Sequence, residues 1–265
     1  PVVPGYSVDQ GSTAKAGAPD AKRRTSEYGA PRKATVPPAV SLNDLTRRAA
    51  WPPEVKPTLA AHASDVAVLK YAANVWGDEL YCLSDDFKYY FTQFRLHPSE
   101  WHKSCFQWLS VAAAGEPVPA WVMEYVLGFG HAASSGIAQR FSHAILWLLR
   151  RRANVVEERL LQAETDPVRR AYLDARAALG PDQAVLWTAD IFTDDAAMII
   201  VGADRVARIL DLWGDLLEKM RLITAGPPKR MIGCTMRWLG VYLNTYLANQ
   251  VIPVDRAIKA IEVLG

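Results

Sequence analysis

The spacing of apolar positions changes several times along the chain. From Trp51 the pattern becomes globular, and Leu59, Val66, Leu69, Ala73 and Trp76 recur at helical spacing behind Pro57. Shorter apolar runs follow. Leu80–Leu83, Phe91–Leu96 and Ser104–Leu109 read as strands, and Ala120–Val126 as a fourth, paired across the turn-forming Ala114-Gly115-Glu116-Pro117. Ser134 to Gln162 reads as one long helix that becomes strongly charged at Arg150-Arg151-Arg152. Behind it comes a helix with Asp166 as N-cap, Pro167 in its first turn and Gly180 just past its end.

Two further apolar runs, Ala184–Phe192 and Ala196–Val201, are separated only by Thr193-Asp194-Asp195, which predicts a tight hairpin with two acids at its tip. Val206, Ile209, Leu210, Trp213, Leu217 and Met220 mark another amphipathic helix. Trp238–Leu243 reads as a closing strand, and Val251–Leu264 as the start of a hairpin-to-helix passage. No internal repeat is visible. Irregularly interleaved strands and helices predict an α+β fold around an antiparallel sheet.

Composition narrows this picture only modestly. The 265 residues allow one large domain or two modest ones, and an apolar half of the chain suits a packed core rather than disorder throughout. A formal charge of +2 permits nucleic-acid binding without arguing for it. Residues 1–38 are rich in Pro, Gly, Ala, Ser, Lys and Arg and read as a loosely ordered arm. It carries the basic cluster Lys22, Arg23 and Arg24, then Arg32 and Lys33, a pattern that also fits a nuclear signal. The chain starts at Pro1 and stops after the apolar pattern Ala257–Leu264, so it reads as a segment of something longer. No apolar run approaches the roughly 20 residues that span a bilayer, so no membrane is expected. Cys82, Cys105 and Cys234 are odd in number and lie in apolar surroundings, which suits buried thiols in a reducing intracellular compartment, cytoplasm or nucleus.

Two acidic pairs stand out chemically. Asp85-Asp86 sits at the exit of one apolar strand, and Asp194-Asp195 lies between two others. Aspartate pairs are common in turns. They repel when close, however, and are expensive to bury unless something compensates. A hard divalent cation does so, taking one or two carboxylates and completing its shell with phosphate and water.

The stretch Leu83-Ser-Asp-Asp-Phe-Lys-Tyr-Tyr-Phe-Thr-Gln-Phe-Arg-Leu-His-Pro98 resembles the first palm motif of retroelement reverse transcriptases, in which an aspartate precedes an aromatic by five residues. Asp86, with Phe91, has that spacing in register with Gln93 and Leu96-His97-Pro98; Asp85 does not. Leu127-Gly-Phe-Gly130, Ser134-Ser135 and Ala138-Gln-Arg140 resemble the next motif, and Phe192-Thr-Asp-Asp195 the third. Pro227-Pro-Lys229 and Trp238-Leu-Gly-Val-Tyr-Leu243 follow in the family's order, while Arg23 to Thr35 is similar to its finger segment. Departures are Phe192 for the usual tyrosine, Gly128 for proline after leucine, and Ser135 for a common proline.

The resemblance implies the fingers and palm of a right-hand polymerase, with an antiparallel palm sheet packed on helices. It places a basic arm and partial fingers at residues 1–38 and fingers and palm at 39–250, with a helical insertion near 150–180. Residues 251–265 would begin the connection to a thumb. It further implies RNA-directed DNA synthesis from dNTPs on an RNA or DNA primer–template, with magnesium, or manganese in its place, on Asp86, Asp194, Asp195 and the carbonyl of Phe87. Lys229 is the candidate acid for the leaving pyrophosphate and Phe91 the sugar gate. Phe129 and Gly130 would line the nucleotide pocket, Gln139 would brace it, and Arg23 and Arg24 would hold phosphates. A thumb, and RNase H or integrase regions, would belong to the parent protein. Two alternatives stay open: a catalytically inactive nucleic-acid-binding derivative, and an RNA-templated RNA polymerase, against which Thr193 and Phe91 speak.

Overall fold

The computed structural model describes residues 3–9, 22–26, 43, 54–111, 117–128, 130–180 and 184–253. Phe129, the tip of the turn at 114–116 and the helical passage expected beyond residue 253 lie outside them. The described chain is α+β and divides into two compact units, Pro1–Glu54 with Tyr89–Ala138, and Val55–Lys88 with Gln139–Gly265.

The first unit carries a four-stranded sheet. Strands β1 (Val3–Asp9) and β2 (Lys22–Ser26) pair antiparallel, which sets Arg24 opposite Ser7 and Arg23 opposite Val8. Strands β4 (Cys105–Val111) and β5 (Pro117–Met123) form the expected hairpin, in a register that starts the second strand three residues earlier than its apolar run. The sheet order is β2-β1-β4-β5, with β1 parallel to β4.

The run Phe91–Leu96 is not a strand. Tyr90–Gln93 forms a 3-10 turn, entered through Tyr89 in the left-handed region at φ +54°, and the Phe94 N–H donates to the Phe91 carbonyl. Buried Tyr90 meets Phe94 edge-on at 4.8 Å. An aromatic-rich run has high strand propensity, but here the aromatics pack on one another along a turn.

The second unit is built on β3 (Leu80–Asp86), β6 (Trp187–Phe192), β7 (Asp195–Val201) and β8 (Met231–Gly233), ordered β6-β7-β3-β8 and antiparallel throughout. Ala196 to Val201 are all buried, the mark of a strand covered on both faces. On one face Leu80, Cys82, Ala197, Ile199 and Val201 share a core with Val66, Leu69 and Ala73 of α1 (Leu59–Trp76), and with Tyr172 and Leu173 of α3 (Pro167–Ala177). Helix α1 starts at Thr58, whose hydroxyl accepts from the Ala61 N–H, and stops at Gly77, whose φ of +69° ends the helix. Asp166 caps α3 as its sequence predicts.

Helix α2 (Ser134–Gln162) runs unbroken over the expected span. Helix α4 (Ala203–Met220) buries Val206, Ile209, Trp213, Leu216 and Leu217. Trp238–Leu243, read as one strand, is two: β9 (Thr235–Trp238) and β10 (Val241–Asn244) pair across Leu239 and Gly240. Both turn residues have positive φ, +47° and +79°, as a two-residue hairpin with the strands' own twist requires. Strand β11 (Asn249–Val251) completes that small sheet. All three cysteines are free thiols; Cys82 is buried and pushed up to about 12 by burial, while Cys105 and Cys234 are half-buried. No helix among the described residues is long and apolar enough to cross a membrane.

Candidate active site

Strand pairing in the second unit collects the acids at one end of its sheet. In the register of β3 with β7, Asp86 stands opposite Asp195. Phe192 pairs with Asp195 on the other side, so the hairpin loop is only Thr193 and Asp194. The Phe87 N–H donates to the Asp194 carbonyl at 2.9 Å, which ties the first acidic segment to the hairpin tip through the backbone. Phe87 itself is buried, its ring 5.9 Å from that of Trp213.

Successive side chains on a strand take opposite faces, and this separates the roles of Asp85 and Asp86. Asp85 is 2 % exposed and accepts from the Trp213 indole at 3.0 Å and the Arg230 guanidinium at 2.7 Å. Asp86 points the other way and meets the Lys229 ammonium at 2.5 Å. Lys229 and Arg230 thus go to adjacent acids on opposite faces. The loop that carries them is docked on β3's exit by the Ala225 N–H to the Asp86 carbonyl and by the Lys88 N–H to the Ile223 carbonyl.

Burial pushes the Asp195 carboxyl up to about 7, and the negative charges of Asp86 and Asp194 add to that shift; a Leu239 N–H and the Lys229 ammonium oppose it. The Trp238 indole donates to the Asp195 carbonyl at 3.2 Å, and the His62 ring lies 4.4 Å from that of Trp238. His62 Nδ1 is 3.2 Å from Asp190 Oδ2, while its Nε2 is buried without a hydrogen-bond partner.

The hairpin tip is held from α2. Gln139 is buried and spends both ends of its amide there, donating to the Ile191 carbonyl and accepting from the Thr193 N–H, each at 2.8 Å. Less than one turn on, the Ser142 hydroxyl donates to the Thr193 carbonyl at 2.5 Å. Gln139, expected to brace a nucleotide pocket, makes both of its amide's hydrogen bonds to the acidic hairpin. Thr193 sits at φ +57°, a conformation that β-branched residues rarely adopt, and these bonds hold it there.

The remaining expected residues belong to the first unit. Phe91 is half-buried in the 3-10 turn. Gly130 has φ +90°, and Asn43 staples it, donating to its carbonyl at 3.0 Å and accepting from the Ala132 N–H at 2.7 Å. Arg23 and Arg24 lie on β2. Ser142, Trp213, Arg230 and Asn43 carry no motif of their own, so their roles emerge only from the fold.

Chemically, the second unit offers an all-oxygen donor set with surplus negative charge, and the Lys229 ammonium stands in beside Asp86 as a positive charge. Such a set fits magnesium or manganese. Among the described residues no three His, Cys, Asp or Glu side chains close a cage around an ion by themselves. A magnesium site typically uses one or two carboxylates and leaves the other positions to phosphate and water.

No protein-family model matches the chain, and no curated protein matches it. Among solved structures it is similar to a telomerase from Candida albicans in complex with a TWJ fragment of telomeric RNA, at 10 % identity and TM-score 0.43, over 72 % of this chain and 33 % of that one. It is similar also to an apo telomerase from Candida tropicalis truncated from its C-terminal domain, at 9 % identity and TM-score 0.43, over 76 % of this chain and 41 % of that one. The chain thus spans between a third and about two fifths of the length of these structures.

Two outcomes follow from the site's electrostatics. A carboxyl that binds its proton more tightly folded than unfolded stabilises the fold while protonated. The Asp195 contribution is therefore present near its ordinary value of 3.8 and lost as pH rises to about 7. In chelator, Asp195→Asn should gain urea resistance relative to wild type across that window, and magnesium should narrow the gap; parallel pH profiles would return Asp195 to an ordinary solvated setting. Asp85→Ala should cost about 3 kcal/mol in urea denaturation, because it strands the Arg230 charge and the Trp213 N–H. A loss under about 1 kcal/mol would mean that solvent replaces the carboxylate.

Proposed function

We propose that the chain is the nucleotidyl-transfer part of an RNA-directed DNA polymerase of the retrotransposon kind, extending a primer 3′-hydroxyl with dNTPs on an RNA or DNA template. The observation that carries this reading is the register that sets Asp86 opposite Asp195 with Asp194 at the adjoining tip. These are the three acids that the motif resemblance singles out, and Asp85, the acid it sets aside, is spent on Arg230 and Trp213.

Asp86 and Asp194, with the Phe87 carbonyl, would hold magnesium, and Asp195 would support them. Bound there, the metal supplies charge that stabilises the attacking and leaving oxygens of an in-line displacement. The protein's own part is placement. Gln139 and Ser142 fix the hairpin tip, so the Asp194 carboxylate is held in place before substrate arrives, and little reorganisation remains during the reaction. Lys229 is 64 % exposed, so its pairing with Asp86 is weak and readily exchanged. Released, its ammonium would be a proton donor for the departing pyrophosphate. Arg23 and Arg24 would meet the triphosphate through forked guanidinium donors. Phe129 and Gly130 would line the nucleotide pocket, and Phe91 would occupy the space that a ribose 2′-hydroxyl needs.

Primer extension with magnesium tests the assignment. Asp86→Asn and Asp194→Asn should each cut the rate by several orders of magnitude, since each removes charge needed as the transition state forms. Extension at the wild-type rate by either variant would sink it. For the sugar gate, Phe91→Ala should raise ribonucleotide use relative to deoxynucleotides by roughly 30- to 150-fold if the clash it removes is worth ~2–3 kcal/mol. An unchanged ratio in a folded, active variant would assign Phe91 to packing alone.

A further inference from the structure

Away from the carboxylates, the second unit holds a cavity of about 520 Å³ between the outward side of α2 and the segment 184–188. Its wall along α2 runs from His143 to Leu161, about 27 Å at the helical rise, so it is a groove longer than a single nucleotide needs. Along α2 it begins at the residue after Ser142, which clamps the hairpin tip, and its other wall is the segment 184–186 with the first two residues of β6. The floor includes Leu146 and Leu186, both buried.

Trp147 stands in this wall 56 % exposed, a large apolar surface left in water. The Arg151 guanidinium packs over its ring at 5.2 Å, which orients both groups. Arg150 donates to the Ala189 carbonyl at 2.9 Å, which pins its side chain against β6. Among the described residues neither Arg150 nor Arg151 has a salt-bridge partner, whereas Arg152, their neighbour, is paired with Asp215 at 2.7 Å. Glu157 also lines the groove, but Arg205 and Arg208 neutralise it at 2.7 and 3.2 Å. Glu158, two turns along from Arg151, marks the end at which negative charge would be disfavoured. Arg150 also acts electrostatically on the Asp65 carboxylate, so Arg151 carries most of the groove's free positive charge. Exposed aromatic surface, guanidiniums outside any direct ion pair and an elongated shape are the ingredients of a sequence-tolerant single-strand site, where bases stack and phosphates meet cations.

We propose that this groove binds a single strand of nucleic acid, with a base stacked on Trp147 and phosphates on Arg150 and Arg151. The site is separate from the carboxylate end of the sheet and does not depend on nucleotidyl transfer there. A strand leaving or approaching the hairpin would have a track along α2, and Arg151, held over Trp147, would have an anionic ligand.

The test uses the intact chain and a short fluorescein-labelled oligo(rU), followed by anisotropy over a range of salt. A 5-iodouridine version is cross-linked by long-wave ultraviolet light and mapped by mass spectrometry. Trp147→Ala should weaken binding roughly 5- to 150-fold, the range for one lost base stack, and Trp147→Phe should retain most of the affinity. Arg151→Gln should flatten the plot of log affinity against log salt by about 0.7. Cross-links should fall on Trp147. Unchanged affinity in Trp147→Ala, with cross-links confined to other segments, overturns the proposal, including the case in which the groove holds a protein segment instead. If no form of the chain extends a primer yet Trp147 still cross-links, the polymerase reading falls and this site stands. If Asp194→Asn abolishes extension and Trp147 contributes nothing to binding, the polymerase reading stands and this site falls.

Discussion

Repulsion among carboxylates at one end of a buried sheet is the constraint around which the second unit is organised. Asp86, Asp194 and Asp195 are brought together by strand register, and a two-residue loop leaves no slack to move them apart without breaking the pairing of Phe192 with Asp195. Burial alone would favour protonation, and the neighbouring charges push the same way, which is why Asp195 sits near 7. The fold answers with small, local relief: an ammonium on Asp86 and a backbone N–H at Asp195. At Asp85, one residue away and on the other face, Arg230 and Trp213 close the carboxylate off. One aspartate is closed into the scaffold by a guanidinium and an indole, and its neighbour meets the ammonium of Lys229, a residue 64 % exposed.

Much of this was legible in the sequence because it rests on local rules. Helix α1 follows from its apolar period, α3 from the Asp166 cap and Gly180 beyond its end, and the β6–β7 hairpin from two apolar runs around a short polar break. The sequence distinguishes Asp86 from Asp85 by spacing to Phe91, and strand alternation puts the two side chains on opposite faces. What was not legible falls into two groups. Aromatic runs carry no clear period, so the turn at Tyr90–Gln93 read as a strand, and the apolar continuity across Leu239 hid a hairpin that Gly240 alone could have betrayed. The partners of the site are also remote: Trp213 and Arg230 lie 128 and 145 residues from the Asp85 they hold. No local pattern encodes such pairs.

Gln139 illustrates how much a single polar side chain can hold. Its position in the chain marks it as polar support, and in the fold it supports the acidic hairpin. The amide is well chosen for that work. One amide side chain can accept from the Thr193 N–H in the turn and donate to the Ile191 carbonyl of the strand that enters it. A carboxylate could only accept and an ammonium only donate. With Ser142 taking the Thr193 carbonyl, the polar groups around the tip find partners within a buried setting, where an unmet group is expensive.

Thr193 is where local and global preferences conflict. A relaxed two-residue hairpin places glycine or asparagine where φ is positive, and the chain elsewhere does use glycine, at Gly240. At the acidic tip it uses a β-branched residue instead, and accepts strain there. Glycine would relieve that strain, but it would also widen the range of backbone shapes open to the tip, and Asp194 is the next residue. A threonine forced into one conformation and clamped at both its N–H and its C=O leaves Asp194 few alternative directions. Strain and clamp act together: the clamp alone could hold a flexible loop only loosely, and strain alone would unravel the turn. The combination trades stability for a fixed carboxylate at the point where the sheet's negative charge is concentrated.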